Sequence, residues 1–354
     1  MARLLVEQGH EVRATYREGS RLDGLAALDV EPVKADVLDR AAIRRAVRRC
    51  DLVFHTAGYV GSNPVERVWQ VNALAPRLVV ETAAGEGVGR VVVTSSVSAI
   101  GPVPPGEVGS EADPYRGGGL GLTYVDSKHE GEVEALAAGV RAGIEVVGVN
   151  PAYVLGAPVD RSDPADTSTR LIGNYLRGRL PGVVDGKTNI VDVRDVAAGH
   201  LAAAEKAAAG ERYILGGHNI GWVELLGRVA KITGVHNPLA VFPPESGVIA
   251  RRAEALRIPI GLSAEGFMLM SQNWSYSSAK ARRELGYRPR RLDVTLRETV
   301  DWYRELMAEG VLGSGSASAM SLVAAGLRVA DGVGLLYPVG LLERYTRRRL
   351  MARP

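Results

Sequence analysis

The chain has 354 residues, 46% of them hydrophobic and 23% charged, with a formal net charge of +3 at pH 7; that is enough chain for one large α/β domain or two unequal lobes. The excess of positive charge does not read as a nucleic-acid surface, because the Arg residues are scattered through helical patterns without zinc spacing, RNA-binding aromatics or a helix-turn-helix signature. The single cysteine, Cys50, excludes an intramolecular disulfide framework and suits a reducing cytoplasm, where this protein is expected.

Residues 1–10 read as the last turns of a helix, with apolar Leu4, Leu5 and Val6 and a C-capping Gly9. Glu11–Tyr16 alternates as a strand, Val30–Asp36 is a second, and Asp39–Arg49 is an amphipathic helix. Asp51–Gly58 is an apolar strand ending in small residues, Pro64–Glu86 one helix, Arg90–Ser96 a strand, Tyr124–Ala142 a helix and Gly143–Asn150 a strand. Strands alternating with helices predict an α/β fold with a parallel, doubly wound sheet of the Rossmann type and its ligand at the strand C-termini. Beyond Pro151 the spacing predicts helices at Thr169–Arg179, Val196–Ala209, Trp222–Thr233, Ser277–Leu285 and Leu296–Met307, and strands at Asn189–Val193 and Glu211–Leu215. The expected division is a dinucleotide-binding domain over residues 1–150, a smaller α/β substrate lobe interleaved with it over 151–310, and a linker and tail over 311–354. Gly313–Ser318 has linker composition. Met320–Leu342 is apolar, but Arg328, Asp331 and Pro338 argue against a membrane span. It ends at Arg344, Arg347, Arg348 and Arg349, so it reads either as a loosely packed tail or as a basic amphipathic segment resting on anionic lipid.

Within Tyr124-Val-Asp-Ser-Lys128 a phenol and an ammonium lie four residues apart on one helix face. An adjacent cation favours the phenolate, which suits proton exchange with a carbonyl. The spacing also occurs in ordinary surface pairs; its place after the strand Arg90–Ser96 gives it weight. Residues Ser95 and Ser98 read equally as strand-end polarity. No cluster with metal-ligand spacing is found.

Several ordered motifs carry a resemblance: Gly9-His-Glu-Val-Arg, Ala35-Asp36-Val-Leu-Asp39, Phe54-His-Thr-Ala-Gly58, Val71-Asn72-Ala, Val93-Thr-Ser-Ser96, Tyr124-x-x-x-Lys128 and Asn150-Pro151. Val191-Asp-Val-Arg-Asp195, Gly210-Glu-Arg-Tyr-Ile-Leu-Gly-Gly217 and Ser278–Pro289 follow. Over roughly residues 1–310 the chain resembles the extended short-chain dehydrogenase/reductase (NAD-dependent epimerase/dehydratase) family, nearest its dihydroflavonol-reductase-like branch and the hopanoid-associated sugar epimerases. The resemblance implies that Tyr124 is the catalytic acid/base, that Lys128 lowers its pKa and holds the nicotinamide ribose, and that Ser96, five residues before Gly101, binds the substrate oxygen. Asp36 would contact adenine, and the strand end His55, Thr56, Ala57 and Gly58 would pass under the cofactor. Asn72 would support the site and Pro151 would border the cofactor. Arg17 follows the second strand of the fold, where an acid usually serves NAD; an Arg suits a 2′-phosphate, so NADP is expected ahead of NAD. Arg13 faces the same edge less directly.

Two departures qualify the resemblance. The family's opening strand and Gly-x-x-Gly-x-x-Gly turn, whose backbone N–H groups hold the pyrophosphate, are not found, and Met1 falls inside the helix that follows that turn. A truncated or misplaced start, weak dinucleotide binding and a sheet missing its first, central strand are therefore expected. Gly117–Gly121 does not replace the turn and reads as an active-site loop. Nucleotide-sugar epimerases commonly carry an Arg where this chain has Thr188 and Asn189. The apolar segment Ser246–Asn273 (Ile249, Leu256, Ile258, Ile260, Phe267, Met268, Leu269, Met270) suits a hydrophobic ketone or aldehyde as well as it suits core packing. An NAD(P)-dependent oxidoreductase acting on a small apolar carbonyl or alcohol is the leading reading. A sugar epimerase/dehydratase and a non-catalytic binding protein are the alternatives. A small-molecule partner is expected, nucleic acid is not, and a homodimer through Pro64–Glu86 and Tyr124–Ala142 is implied by resemblance.

Overall fold

The computed structural model describes residues 1–157, 168–256, 264–312, 319–346 and 348–352. Helix α1 (Ala2–Glu7) stops before Gly9, whose φ of +82° reverses the chain into β1 (Val12–Tyr16). Short helix α2 (Asp23–Ala26) leads to β2 (Val30–Lys34). Asp39 then accepts from the backbone N–H groups of Ala41 and Ala42, opening α3 (Arg40–Val47), which buries Ala42, Ile43, Ala46 and Val47. β3 (Leu52–His55) follows.

The single helix expected over Pro64–Glu86 is broken. α4 (Val65–Trp69) passes into a π turn (Gln70–Leu74) and then α5 (Ala75–Gly85). The extra residue leaves the apolar spacing almost intact, so hydrophobic periodicity does not register it. β4 (Arg90–Thr94) leads to α6 (Thr123–Ala142), which crosses that π turn so closely that a Cβ on Gly131 would lie 1.9 Å from Asn72 O. The loop between them, read as Gly117–Gly121, makes a short 3-10 turn.

β5 (Glu145–Pro151) and β6 (Tyr153–Leu155) precede α7 (Arg170–Leu176), β7 (Gly182–Val184), β8 (Lys187–Asp192) and α8 (Val193–Lys206). β9 (Arg212–Leu215) and β10 (His218–Gly221) then lead to α9 (Trp222–Thr233), β11 (Leu239–Phe242), α10 (Ser246–Ala255) and α11 (Ala264–Met270). α12 (Ala279–Leu285) and α13 (Leu292–Ala308) follow; the tail adds α14 (Ala319–Gly332), α15 (Tyr337–Thr346) and β12 (Met351–Ala352), which pairs with β11. The tail is therefore folded: Ala324 is buried, Arg328 donates to Gly178 O, and Leu350 and Met351 donate to Glu343. The side chain of Ile249, residues Ile258 and Ile260, the Gly313–Ser318 stretch and Arg347 lie outside the described residues.

The main parallel sheet runs β3-β4-β5-β9, with Leu52 opposite Arg90 and Arg90 opposite Glu145. β9 comes from beyond residue 150, so the two halves of the chain interleave. β1 and β2 pair parallel as a separate two-stranded sheet. Among the described strands nothing pairs with the free edge of β3. The effect is visible in burial: Leu52, Val53 and Phe54 on β3 stay half-buried, while Val91, Val92 and Val93 on the inner strand β4 are buried. The smaller sheets, β6-β8-β10 and β7-β11-β12, share a core with α7, α9 and α13.

Candidate active site

The strand ends of the main sheet meet α6 where Lys128 lies against Thr94 O of β4 and beside Gly58 beyond β3. At β3, His55 is 4% exposed and its Nε2 has no hydrogen-bond partner. Its pKa is pushed down to about 3 by burial, helped by the nearby Lys128 ammonium, so the ring is neutral. The next residues open to solvent at Thr56 and Gly58, with Ala57 half-buried between them. A Cβ on Gly58 would stand 3.6 Å from both Asn72 Oδ1 and Lys128 Nζ, so the bare glycine leaves an approach to the ammonium.

At β4, Thr94 O accepts from Lys128 Nζ at 3.1 Å. Ser95 is buried with an unpartnered Oγ. Ser96, in extended backbone, caps a short turn by accepting from Ser98 N at 3.1 Å, which holds its hydroxyl at the strand end. On α6, Tyr124 packs in a cluster with Val97, Ile100, Leu122, Val125 and Trp274. Burial raises its pKa, and the Ser96 hydroxyl beside it pulls the other way. This corrects the expectation that Lys128 depresses Tyr124. Lys128 donates to the β4 main chain, and desolvation of the phenol outweighs the lowering effect of the Ser96 hydroxyl. Lys128 is itself pushed down to about 8 by burial, against which the Glu132 carboxylate works.

Asn72, on the π turn, spends its polar atoms inside the protein. Its Nδ2 donates to Tyr59 O at 2.9 Å and Ser127 Oγ at 3.1 Å, and its Oδ1 accepts from Tyr59 N at 2.8 Å. It therefore ties the loop after β3 to α6. Pro151 ends β5, buried opposite Leu215.

A second recess of about 420 Å³ opens at the ends of β1 and β2, lined by Arg17, Glu18, Lys34, Asp36, Asp39 and Arg45. Asp36 is held below the usual carboxylate range by the Leu38 N–H and by the Arg67 guanidinium, with Arg17 adding to the effect. Arg13 does not face this recess. It pairs with Glu31 at 2.8 Å and donates to Ala46 O and Arg48 O at the end of α3, because its strand position turns it toward that helix. Orphaned His55 Nε2 and Ser95 Oγ and the open edge at Gly58 fit a dinucleotide laid across the strand ends; the recess at β1 and β2 is of mixed charge, with Arg17, Lys34 and Arg45 set among Glu18, Asp36 and Asp39. Among the described residues no cluster of His, Cys, Asp or Glu could hold a metal.

Several neighbours escape a reading by motif. Tyr115 stacks on His129 with ring centroids 3.8 Å apart and donates to Asp126. Tyr276 is buried and donates to Gly101 O beside the same cluster. Glu132, Asn150 and Arg212 form a hydrogen-bonded chain behind Lys128. Asn150 and Arg212 lie inside two of the ordered motifs, and Glu132 is marked only by its place four residues after Lys128; no motif announces that the three bond to one another. Of the apolar C-lobe segment, Met268 and Leu269 on α11 pack against the Tyr124 cluster, whereas Leu256 is exposed. Thr188 and Asn189 are buried, and Asn189 is used up on Asn219, Tyr276 O and Gly217 N.

The profile of the NAD dependent epimerase/dehydratase family matches residues 1–216. A putative dihydroflavonol 4-reductase of Synechocystis is 32% identical over 319 residues, covering 86% of this chain and 90% of that protein. Sterol demethylase protein B of Methylococcus capsulatus is 30% identical over 321 residues, covering 86% and 94%. The crystal structure of a nucleoside-diphosphate-sugar epimerase from Pseudomonas aeruginosa superposes with a TM-score of 0.68 at 28% identity, covering 86% of this chain and 92% of its own. A parallel sheet, a Ser–Tyr–Lys grouping at its strand ends and a match over the first 216 residues agree: this chain belongs to the NAD dependent epimerase/dehydratase family.

Proposed function

We propose that this protein is an NADP-dependent reductase of a small, apolar carbonyl compound. The observation that carries the reading is the meeting of the Ser96 and Tyr124 hydroxyls at the end of β4, with Lys128 one helical turn beyond on α6. Ser96 directs its hydroxyl to the substrate oxygen, where a preorganised donor favours developing negative charge. Tyr124, kept as a phenol by burial, hands that oxygen a proton. Lys128 holds the ribose hydroxyls through the gap at Gly58, and the bound nicotinamide supplies the hydride. Arg17, Lys34 and Arg45 receive the 2′-phosphate, and Asp36 faces the adenosine. Met268, Leu269 and Trp274 close the substrate side with apolar surface. The names of the Synechocystis and Methylococcus relatives, a putative dihydroflavonol 4-reductase and sterol demethylase protein B, agree with an apolar substrate. The sugar-epimerase alternative is weakened by Thr188 and Asn189, which are buried and offer no cation to a diphosphate.

Arg17→Glu tests the cofactor half of this reading. Losing a charge-assisted bond to the 2′-phosphate costs about 1.5–3 kcal/mol, so NADPH affinity measured by fluorescence titration falls about 10- to 100-fold. NADH affinity stays level or rises. Equal loss for both cofactors overturns the assignment of the recess.

We infer two further associations. Among the described residues no single helix is long and apolar enough to cross a membrane. α14, α15 and the turn between them nevertheless expose Leu322, Val329, Leu335, Tyr337, Leu342 and Tyr345 beside Arg344, Arg348 and Arg349, a pairing that suits an anionic bilayer surface. Co-sedimentation with phosphatidylglycerol vesicles, lost on Leu335→Ser/Tyr345→Ser and absent with phosphatidylcholine alone, is the expected result; no sedimentation with either rejects it. A cytoplasmic location accords with the lone cysteine. Pairing of two copies through α4 to α6 is supported by exposed Val65, Trp69, Leu74, Val133 and Val140.

A further inference from the structure

The supports of the catalytic residues converge on Glu132. On α6 it lies one turn beyond Lys128, as Lys128 lies one turn beyond Tyr124, so the three positions stack along one face. Glu132 is only 4% exposed, and its two oxygens reach different parts of the fold. Oε1 accepts from Arg212 Nη1 at 2.9 Å. Oε2 accepts from Asn150 Nδ2, and that amide, fully buried on β5, also donates to Ser96 O at 3.0 Å. Arg212 is fixed in turn: its Nε and Nη2 donate to Glu111 O at 3.1 and 2.7 Å. The carboxylate thus connects the main chain of the serine that would hold the substrate oxygen to the helix that carries the proton donor and its lysine.

An ionised carboxylate in this position is unfavourable unless it is paired, and an apolar side chain would fill the same space without that requirement. The Arg212 pair accounts for its burial but not for its second bond, through Asn150, to the Ser96 main chain. Nor does it account for the carboxylate's place next to Lys128. The charged and titratable groups around that ammonium are few: Glu132 on its own helix, neutral His55 on β3, and the Tyr124 phenol one turn back; β4 offers only the Thr94 carbonyl.

We propose that Glu132 is a positioning residue: clamped by Arg212 and Asn150, its carboxylate holds Ser96 in register with the Tyr124–Lys128 face of α6 and sets a fixed negative charge beside Lys128. The inference rests on the reductase reading of the site.

The test is competitive acetylation of the full chain with trace acetic anhydride between pH 6 and 11. Labelling of Lys128 is read by peptide mass spectrometry against exposed Lys231. In Glu132→Gln the Lys128 midpoint drops by about one unit, which raises its labelling at pH 7 about fivefold. NADPH-linked turnover falls while NADPH affinity changes less than twofold. Glu132→Asp, which keeps the charge, returns the midpoint toward that of the parent. An unmoved Lys128 midpoint in folded Glu132→Gln overturns the proposal. Should that variant not fold, Arg212→Gln leaves the carboxylate facing Lys128 alone and moves the midpoint upward; no movement is equally decisive against it. Retained turnover in Tyr124→Phe would instead remove the reductase reading and leave the lysine titration untouched, so the two failures are distinguishable.

Discussion

Tyr124→Phe lowers NADPH-linked carbonyl reduction about a thousandfold, within the range assigned to a single general acid, and leaves NADPH affinity within twofold. The ring stays packed against Val97, Ile100 and Trp274, so the unfolding midpoint barely changes. Only the hydroxyl beside Ser96 is lost. Steady-state kinetics with NADPH and a panel of apolar ketones, beside a denaturant titration, separates the two effects; a folded variant with normal turnover rejects the proton-donor role. The pH profile of the parent follows from the same site. Tyr124 is protonated across the neutral range, because burial raises its pKa. Lys128 carries its charge only below about 8. Reduction is therefore level up to about pH 8 and declines above it as the lysine loses its proton. Alcohol oxidation, which needs Tyr124 to accept a proton, gains as pH rises.

Gly131→Ala has the largest expected effect on stability. A Cβ there would lie 1.9 Å from Asn72 O and 3.0 Å from Asn72 C, and backbone cannot swing aside as a side chain can. The helix or the π turn must shift, at a cost of about 3 kcal/mol or more, and the Asn72 bonds to Tyr59 and Ser127 loosen with it. Gly227→Ala on α9 is the control. A Cβ at that position meets nothing within 4 Å, so helix propensity alone applies and the variant gains about 0.5–1 kcal/mol. Urea unfolding of both variants gives the comparison. Equal stability for Gly131→Ala and the parent means that α6 and the π turn are not in contact.

Much of the frame is legible because the signals are local. Apolar spacing places β1, α3, β4, α6 and β5 to within a few residues. Asp39 and Gly9 mark where a helix starts and ends. Motif order alone locates Ser96, Tyr124, Lys128, Arg17 and Asp36, and all five stand at or beside strand C-termini. Signals that depend on partners far along the chain are different. Nothing near Glu132 announces that Arg212, 80 residues away, makes it an ionic partner, and nothing near Arg13 separates a cofactor contact from a cap on α3. The π turn changes the hydrogen-bond register without changing which residues are apolar. The last two helices were obscured by Arg328, Asp331 and Pro338, whose polarity broke the apolar run; Arg328 turns out to anchor α14 through Gly178 O.

By itself, then, the sequence determined the α/β alternation, the order of the motifs and the titratable groups those motifs carry, since each depends on residues within a few turns of one another. The tertiary structure decided how those groups are tuned. It raised the Tyr124 pKa by burial where the neighbouring lysine suggested a fall, divided the sheet between β1 and β3, and set a buried carboxylate behind Lys128. Desolvation and charge pairing depend on what surrounds a group in space, and that environment is assembled from segments a hundred residues apart.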